Sequence, residues 1–258
     1  MNQAVLDHIW LWCHNAGVYN RSSYNLPGES QATPIEALKG MGIKNAVMVV
    51  YGNQPEPPFD KEAAQFAGID RLAWSIIGDG GSKRNDQDSD LKHVINLKKK
   101  CPNLQAAIMD DFFAPGRQQL DKVAMYAERL HQAGLKLWVV LYGHQLDSSA
   151  NLQEFLQLCD VISFWTWRGE ELPLLEARLQ TLRSMAPDKQ IALGCYMWDF
   201  GAQKELSSQN MQFQCELALQ QLKIGLASEI VLLGSPLWGI DIEAQNWTCK
   251  WLRQLRQD

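Results

Sequence analysis

Short apolar runs rich in β-branched and aromatic residues recur along the chain. Each is followed by a polar loop and then by a stretch whose apolar positions return every three or four residues. The runs are HIWLWC (8–13), NAVMVVY (45–51), RLAWSII (71–77) and LQAAIM (104–109), then LWVVLY (137–142), VISFWTW (161–167), IALGCYMW (191–198) and EIVLLG (229–234). The helical patterns fall at 33–41, 60–67, 90–100, 117–133, 150–158, 172–185, 208–226 and 242–257; Leu120, Val123, Ala127 and Leu130 show the spacing. Thr33 followed by Pro34 reads as an N-cap and a proline at the first helical position. Gly42, Gly68 and Gly134 stand where a left-handed residue would end a helix before the next strand.

Strands apolar on both faces belong in a parallel sheet covered by helices. Eight β-then-α units in 258 residues predict an α/β fold, a single (β/α)8 TIM barrel spanning 1–258 without a linker. The competing doubly wound open sheet lacks its usual marks. No G-x-G-x-x-G follows the first strand, and there is no P-loop lysine.

Composition narrows the partners. The chain is 46% hydrophobic with a net charge of −5, and its basic residues are dispersed, as in LKHVINLKKK. Nucleic acid and anionic membrane are therefore not expected as partners. No apolar stretch reaches the roughly 18 residues of a membrane span. The first residues lead almost at once into a strand without a signal-peptide layout, which predicts a cytoplasmic protein, or a secreted one if a leader has been trimmed. None of the six cysteines forms C-x-x-C, so reduced, structural thiols are expected.

In such a barrel the active site lies at the C-terminal ends of the strands. Those positions hold Trp10, Trp12, His14 and Asn15 on the first strand, Tyr51 on the second, and Trp74, Ser75 and Asp79 on the third. They continue with Asp110 and Asp111, then Tyr142 and His144, Trp165, Trp167 and Arg168, Tyr196, Trp198 and Asp199, and finally Ser235 and Trp238. Seven of the ten tryptophans are in this set, which is more than barrel filling needs. Aromatic faces interleaved with polar anchors suit a sugar, whose C–H faces stack on indole while its hydroxyls bond polar groups.

Adjacent strand residues point to opposite faces, so one of Asp110 and Asp111 should enter the barrel mouth while the other braces a loop; Asp110 is the preferred inward one. Ala114 and Pro115 read as the start of the following helix, which argues against the aspartates being its cap. Hydrolysis of a glycosidic bond needs a second carboxylate, and Asp199 is the natural partner. The chord between the fourth and seventh strands is roughly 12–13 Å at the backbone, compatible with either an inverting or a retaining pair. Alternatively Asp110 and Asp111 share the work, and Glu170 and Glu171 are reserve acids. Schiff-base and metal chemistry fit poorly: Lys44, Lys136 and Lys189 sit at strand starts, and HIWLWCH is not H-x-H. No metal or other cofactor is expected.

AIMDDFF resembles the acidic strand-four ends of bacterial glycoside-hydrolase-type barrels. VISFWTW is similar to the strand-six aromatic motif of chitinase-like barrels, and Trp238 falls where such barrels often carry a sugar-stacking tryptophan. One departure matters: the chitinase-like motif finishes strand four on a glutamate, whereas here Asp110 and Asp111 are followed by phenylalanines. The resemblance implies a carbohydrate-active barrel acting on an oligosaccharide or glycoside.

On this reading Asp110 or Asp111 pairs with Asp199. His14, Asn15, Tyr142, His144, Arg168 and Tyr196 orient the sugar, and Trp12, Tyr51, Trp74, Trp165, Trp167, Trp198 and Trp238 form its aromatic platform. The alternatives are a non-catalytic sugar-binding barrel and a polysaccharide lyase. The lyase would use Tyr142 or Tyr196 as base, with Arg168 neutralising a uronate.

Overall fold

A computed structural model describes residues 2–85, 89–113, 119–147 and 151–257. Eight parallel strands close into a barrel: β1 (Ile9–Cys13), β2 (Asn45–Met48), β3 (Arg71–Ile77), β4 (Leu104–Met109), β5 (Lys136–Tyr142), β6 (Val161–Trp165), β7 (Gln190–Tyr196) and β10 (Glu229–Leu233). The first and last strands pair directly, Trp10 opposite Val231 and Trp12 opposite Leu233. A small antiparallel ribbon, β8 (Trp198–Asp199) with β9 (Lys204–Glu205), is inserted after β7. It uses Trp198, which the sequence pattern assigns to the seventh strand. Near-continuous burial along each barrel strand reflects the helix layer outside and the packed lumen inside.

The outer layer comprises α2 (Pro34–Met41), α3 (Asp60–Ala64), α4 (Ser89–Lys98), α5 (Leu120–Gln132), α6 (Leu152–Leu158), α7 (Leu175–Met185), α8 (Ser208–Lys223) and α9 (Glu243–Gln257), with a short α1 (Asn2–Leu6) ahead of β1. Thr33 caps α2 in a capping box: its hydroxyl accepts the Glu36 N–H while Glu36 accepts the Thr33 N–H. Gly42 and Gly134 adopt φ of +64° and +70° after α2 and α5, as a left-handed stop requires. Gly68 does not, because α3 already ends at Ala64 and unwinds through turns. The expected starts of α5 at 117 and α6 at 150, and the Ala114-Pro115 cap, lie outside the described residues.

The N-terminal end of the lumen is plugged. Trp10 meets Trp138 edge-on at 5.1 Å and donates its indole N–H to Glu229, while Arg71 lies over the Trp10 ring and pairs with Glu229 at 2.8 Å. This network fills that end of the lumen and leaves the C-terminal mouth as the open one.

Candidate active site

The mouth holds a cavity of about 430 Å³, open solvent at its entrance included. Strand alternation sends Trp12 of β1, Val140 and Tyr142 of β5, Trp165 of β6, Tyr196 of β7 and Leu233 of β10 into it. Loops supply Tyr51 and Asp79, and Trp167 follows β6. The cavity opens into a shallower space of about 770 Å³ bordered by Gly80, Gly81, His144 and Gln145.

Trp165 lies flat across β7 at Gly194, where an added Cβ would fall 2.0 Å from the indole. Its indole N–H donates to Ser163 at 2.8 Å, and the ring packs against Tyr196 at 4.6 Å and Trp12 at 5.4 Å. His14 is buried, with Nδ1 at 2.8 Å from the Val49 carbonyl, and Nε2 accepts the Trp12 indole N–H at 3.1 Å. These partners fix the Nδ1–H tautomer. Burial, only partly offset by the Val49 carbonyl, lowers the imidazole to about 4. His14 is therefore a neutral strut of the cavity wall, with neither nitrogen left to orient a hydroxyl.

The two adjacent aspartates both reach the cavity. The Asp110 N–H extends the β3–β4 ladder by donating to the Ile77 carbonyl, and Asp110 Oδ1 accepts the Asp111 N–H at 3.0 Å. Asp111 then turns left-handed, with φ +43°, a conformation aspartate tolerates better than most residues. That turn cancels the alternation that would have sent one carboxylate away. Asp111 also braces a loop: Oδ1 accepts the Tyr142 hydroxyl and Oδ2 the Gly80 N–H, both at 2.8 Å. Asp79 ties the loops after β2 and β3 together by accepting the Gly52 and Gly81 N–H groups.

Five of the six tyrosines line the cavity. Burial, reinforced by the charges of Asp110 and Asp111, pushes Tyr142 and Tyr196 well above the ordinary phenol range. Tyr24 and Tyr51 are raised first by burial as well. All four remain hydroxyl donors at neutral pH, which makes Tyr142 and Tyr196 poor bases for a lyase.

Other expected site residues lie elsewhere. Trp74 faces the helix layer, 5.2 Å from Phe59 and 6.1 Å from Phe66; with both strand faces apolar, the pattern cannot tell inward from outward. Asp199 is buried in the ribbon turn, where Oδ1 accepts the Ala202 N–H at 2.9 Å and Oδ2 sits under Gly169. Trp198 donates to the Tyr24 carbonyl, and the Trp238 ring lies on Gly40 of α2. Arg168 points outward, its side chain 48% exposed and 3.9 Å from Glu170, and Glu171 pairs with Arg178. Asn15 does not line the cavity, and its carbonyl accepts the Val18 N–H. His144 reaches the outer rim, stacked on Tyr142 at 5.6 Å.

Three aromatic residues of the cavity lie outside the sequence expectations: Tyr19, Tyr24 and Phe200. Their signal is modest, two tyrosines in the polar loop VYNRSSYN after the first strand and an aromatic beside Asp199 in WDFG. Among the described residues no cluster of three or more His, Cys, Asp or Glu side chains is arranged to hold a metal ion. Among them, too, no helix is long and apolar enough to cross a membrane.

No protein-family model matches the chain, and no curated protein matches it either. Solved structures do match. An active domain of a thermostable chitinase from Pyrococcus furiosus superposes with a TM-score of 0.64 at 13% identity, over 97% of this chain and 95% of that one. The spore cortex-lytic enzyme SleL of Bacillus megaterium matches at 0.60 and 12%, over 95% and 73%. The PgaB glycoside hydrolase domain from Bordetella bronchiseptica matches at 0.57 and 9%, over 93% and 98%. The chain thus has the barrel fold of glycoside hydrolases and chitinases. Barrels of other chemistry match at 0.56 and 0.54, so the likeness is one of fold.

Proposed function

We propose that the barrel hydrolyses a glycosidic bond of an oligosaccharide bound in the aromatic cavity. The observation that carries this reading is the placement of both Asp110 and Asp111 on a cavity walled by five tyrosines, Trp12, Trp165 and Trp167. Tyrosine and tryptophan rings offer apolar faces to the sugar, and phenols add donors for its hydroxyls. Two carboxyl groups in unlike surroundings take unlike roles. Asp110, 7% exposed among rings, gives its proton to the leaving oxygen. Asp111, oriented by Tyr142 and Gly80, faces the charge developing at the anomeric carbon or activates the incoming water. Asp199 has no part in this pair, because the ribbon turn holds it. Chito-oligosaccharides are the first substrates to try, since the Pyrococcus furiosus chitinase domain was crystallised with them.

A non-catalytic sugar-binding barrel is the second reading. It is favoured by one feature: both oxygens of Asp111 and both nitrogens of His14 are already engaged inside the protein. Mass spectrometry of products from a panel of neutral and acidic oligosaccharides separates the two, comparing wild type with Asp110→Asn/Asp111→Asn. Products heavier by one water, absent with the variant, support hydrolysis. Saturable binding without product from wild type moves the assignment to a binding barrel, and unsaturated, ultraviolet-absorbing products would require a lyase.

A further inference from the structure

The cavity is dammed on one side. The chain after β1 carries Tyr19 and Tyr24 over the mouth, and it meets the ribbon after β7. The Tyr24 ring lies 4.8 Å from Phe200 and Tyr19 lies 5.9 Å from it. The Tyr24 carbonyl accepts the Trp198 indole N–H at 3.0 Å, and the Asn25 amide donates to the Gln203 carbonyl. Phe200 in turn packs on Tyr196 at 5.1 Å and stacks with Trp167 at 5.9 Å, so the ribbon end is pinned to the cavity wall.

The opening is to the outer space. The deep cavity shares Tyr24, Tyr51, Asp79, Asp111, Tyr142 and Trp167 with it, whereas Tyr19 and Phe200 border the deep cavity alone, and the outer space extends past the shared residues to Gly80, Gly81 and His144. Asp110 borders the deep cavity alone, whereas Asp111 borders both. A sugar chain that enters from the outer space past Asp111 has the Tyr19–Phe200 wall of the deep cavity ahead of it, on the level of Asp110. A chain cannot run through such a space; only its end can be lodged there.

We infer that Tyr24 and Phe200 are specificity-determining residues that make this a blind pocket, so that the protein engages chain ends and releases terminal units. The cleavage part rests on the hydrolase reading above; the requirement for a chain end applies to binding with or without chemistry.

The test uses two probes, chitohexaose and soluble glycol chitin whose chain-end concentration has been measured, followed by quenching of tryptophan fluorescence. The expected result is half-saturation of wild type at the same chain-end concentration for both probes. Per sugar unit, the polymer then binds more weakly by the ratio of chain lengths. Tyr24→Ala/Phe200→Ala, if its thermal transition stays cooperative, should raise the polymer's per-unit affinity towards that of the hexamer. Half-saturation at equal sugar-unit concentration in wild type overturns the blind pocket while leaving the hydrolase reading intact. So does an early, Asp110- and Asp111-dependent mixture of internal fragments from the hexamer. Failure of wild type to bind either probe removes the chitin-type sugar reading and this inference together.

Discussion

Tyr142→Phe is the sharpest test of the carboxylate assignment, because it removes one hydroxyl and little else. The ring stays stacked on His144 with 4° between planes and keeps its edge against Trp167. What is lost is the 2.8 Å donation to Asp111 Oδ1, together with the hydroxyl's contact with Tyr196. A hydrogen bond to a charged group is worth about 1.5–3 kcal/mol, or roughly a 10- to 150-fold change in rate if the orientation it enforces is needed in the transition state. Gly80 still holds the second oxygen, so the lower end, about tenfold in kcat/KM, is the expected loss. Fold stability should fall by less than about 1 kcal/mol, since the bared oxygen faces a cavity that water can enter. The assay is kcat/KM on whichever oligosaccharide yields product, with urea unfolding of the single and double variants of Tyr142→Phe and Asp111→Ala as the control for coupling. Two results would refute the reasoning: kcat/KM within twofold of wild type, or strictly additive unfolding energies, since contacting groups should couple.

Three further outcomes are expected. Asp199→Asn should keep turnover within about threefold, because an amide oxygen can still accept the Ala202 N–H, while Asp110→Asn and Asp111→Asn each lose activity by two orders of magnitude or more in parallel assays. His14 resists protonation down to about 4 in the fold yet takes a proton near its ordinary 6.5 when unfolded. Its contribution to stability is therefore complete above about pH 6.5 and drains away as the pH falls towards 4, by up to ~3 kcal/mol, and His14→Gln should flatten urea-unfolding stability across that window. Gly194→Ala drives a methyl into the Trp165 ring and should cost about 1–3 kcal/mol, with a changed near-ultraviolet circular dichroism spectrum; an unaltered spectrum and midpoint would show that Trp165 does not lie there.

The barrel was readable because its strands are apolar on both faces, which parallel sheets require, and because caps such as Thr33-Pro34 and Gly42 mark helix ends by local chemistry. The site was readable only where strand geometry alone decides. Trp12, Tyr142, Trp165 and Tyr196 fall in the cavity because they stand at or one residue before the C-terminal ends of barrel strands, on the inward face. Trp74 ends no strand and faces out, a phase that a strand apolar on both sides does not encode. Asp111 broke the alternation through a single left-handed φ, and Tyr24 entered the cavity through contacts with Trp198 and Phe200 far along the chain. Neither leaves a trace in local periodicity.

The misplaced indoles share a physical cause. Indoles near strand ends suggest a sugar platform, yet Trp74, Trp198 and Trp238 are absorbed by packing against Phe59, Tyr24 and Gly40. A large, mostly apolar ring with one donor is readily accommodated inside a core by a single carbonyl, as Trp198 on the Tyr24 carbonyl shows. A phenol puts its hydroxyl at the far end of the ring, where it needs a polar neighbour or water. Tyrosines accordingly gather where carboxylates and open space meet, and Tyr142 on Asp111 is the direct instance. In a chain with six tyrosines, five of them on one cavity, the sparse tyrosines rather than the abundant tryptophans mark the place where a polar ligand can be held.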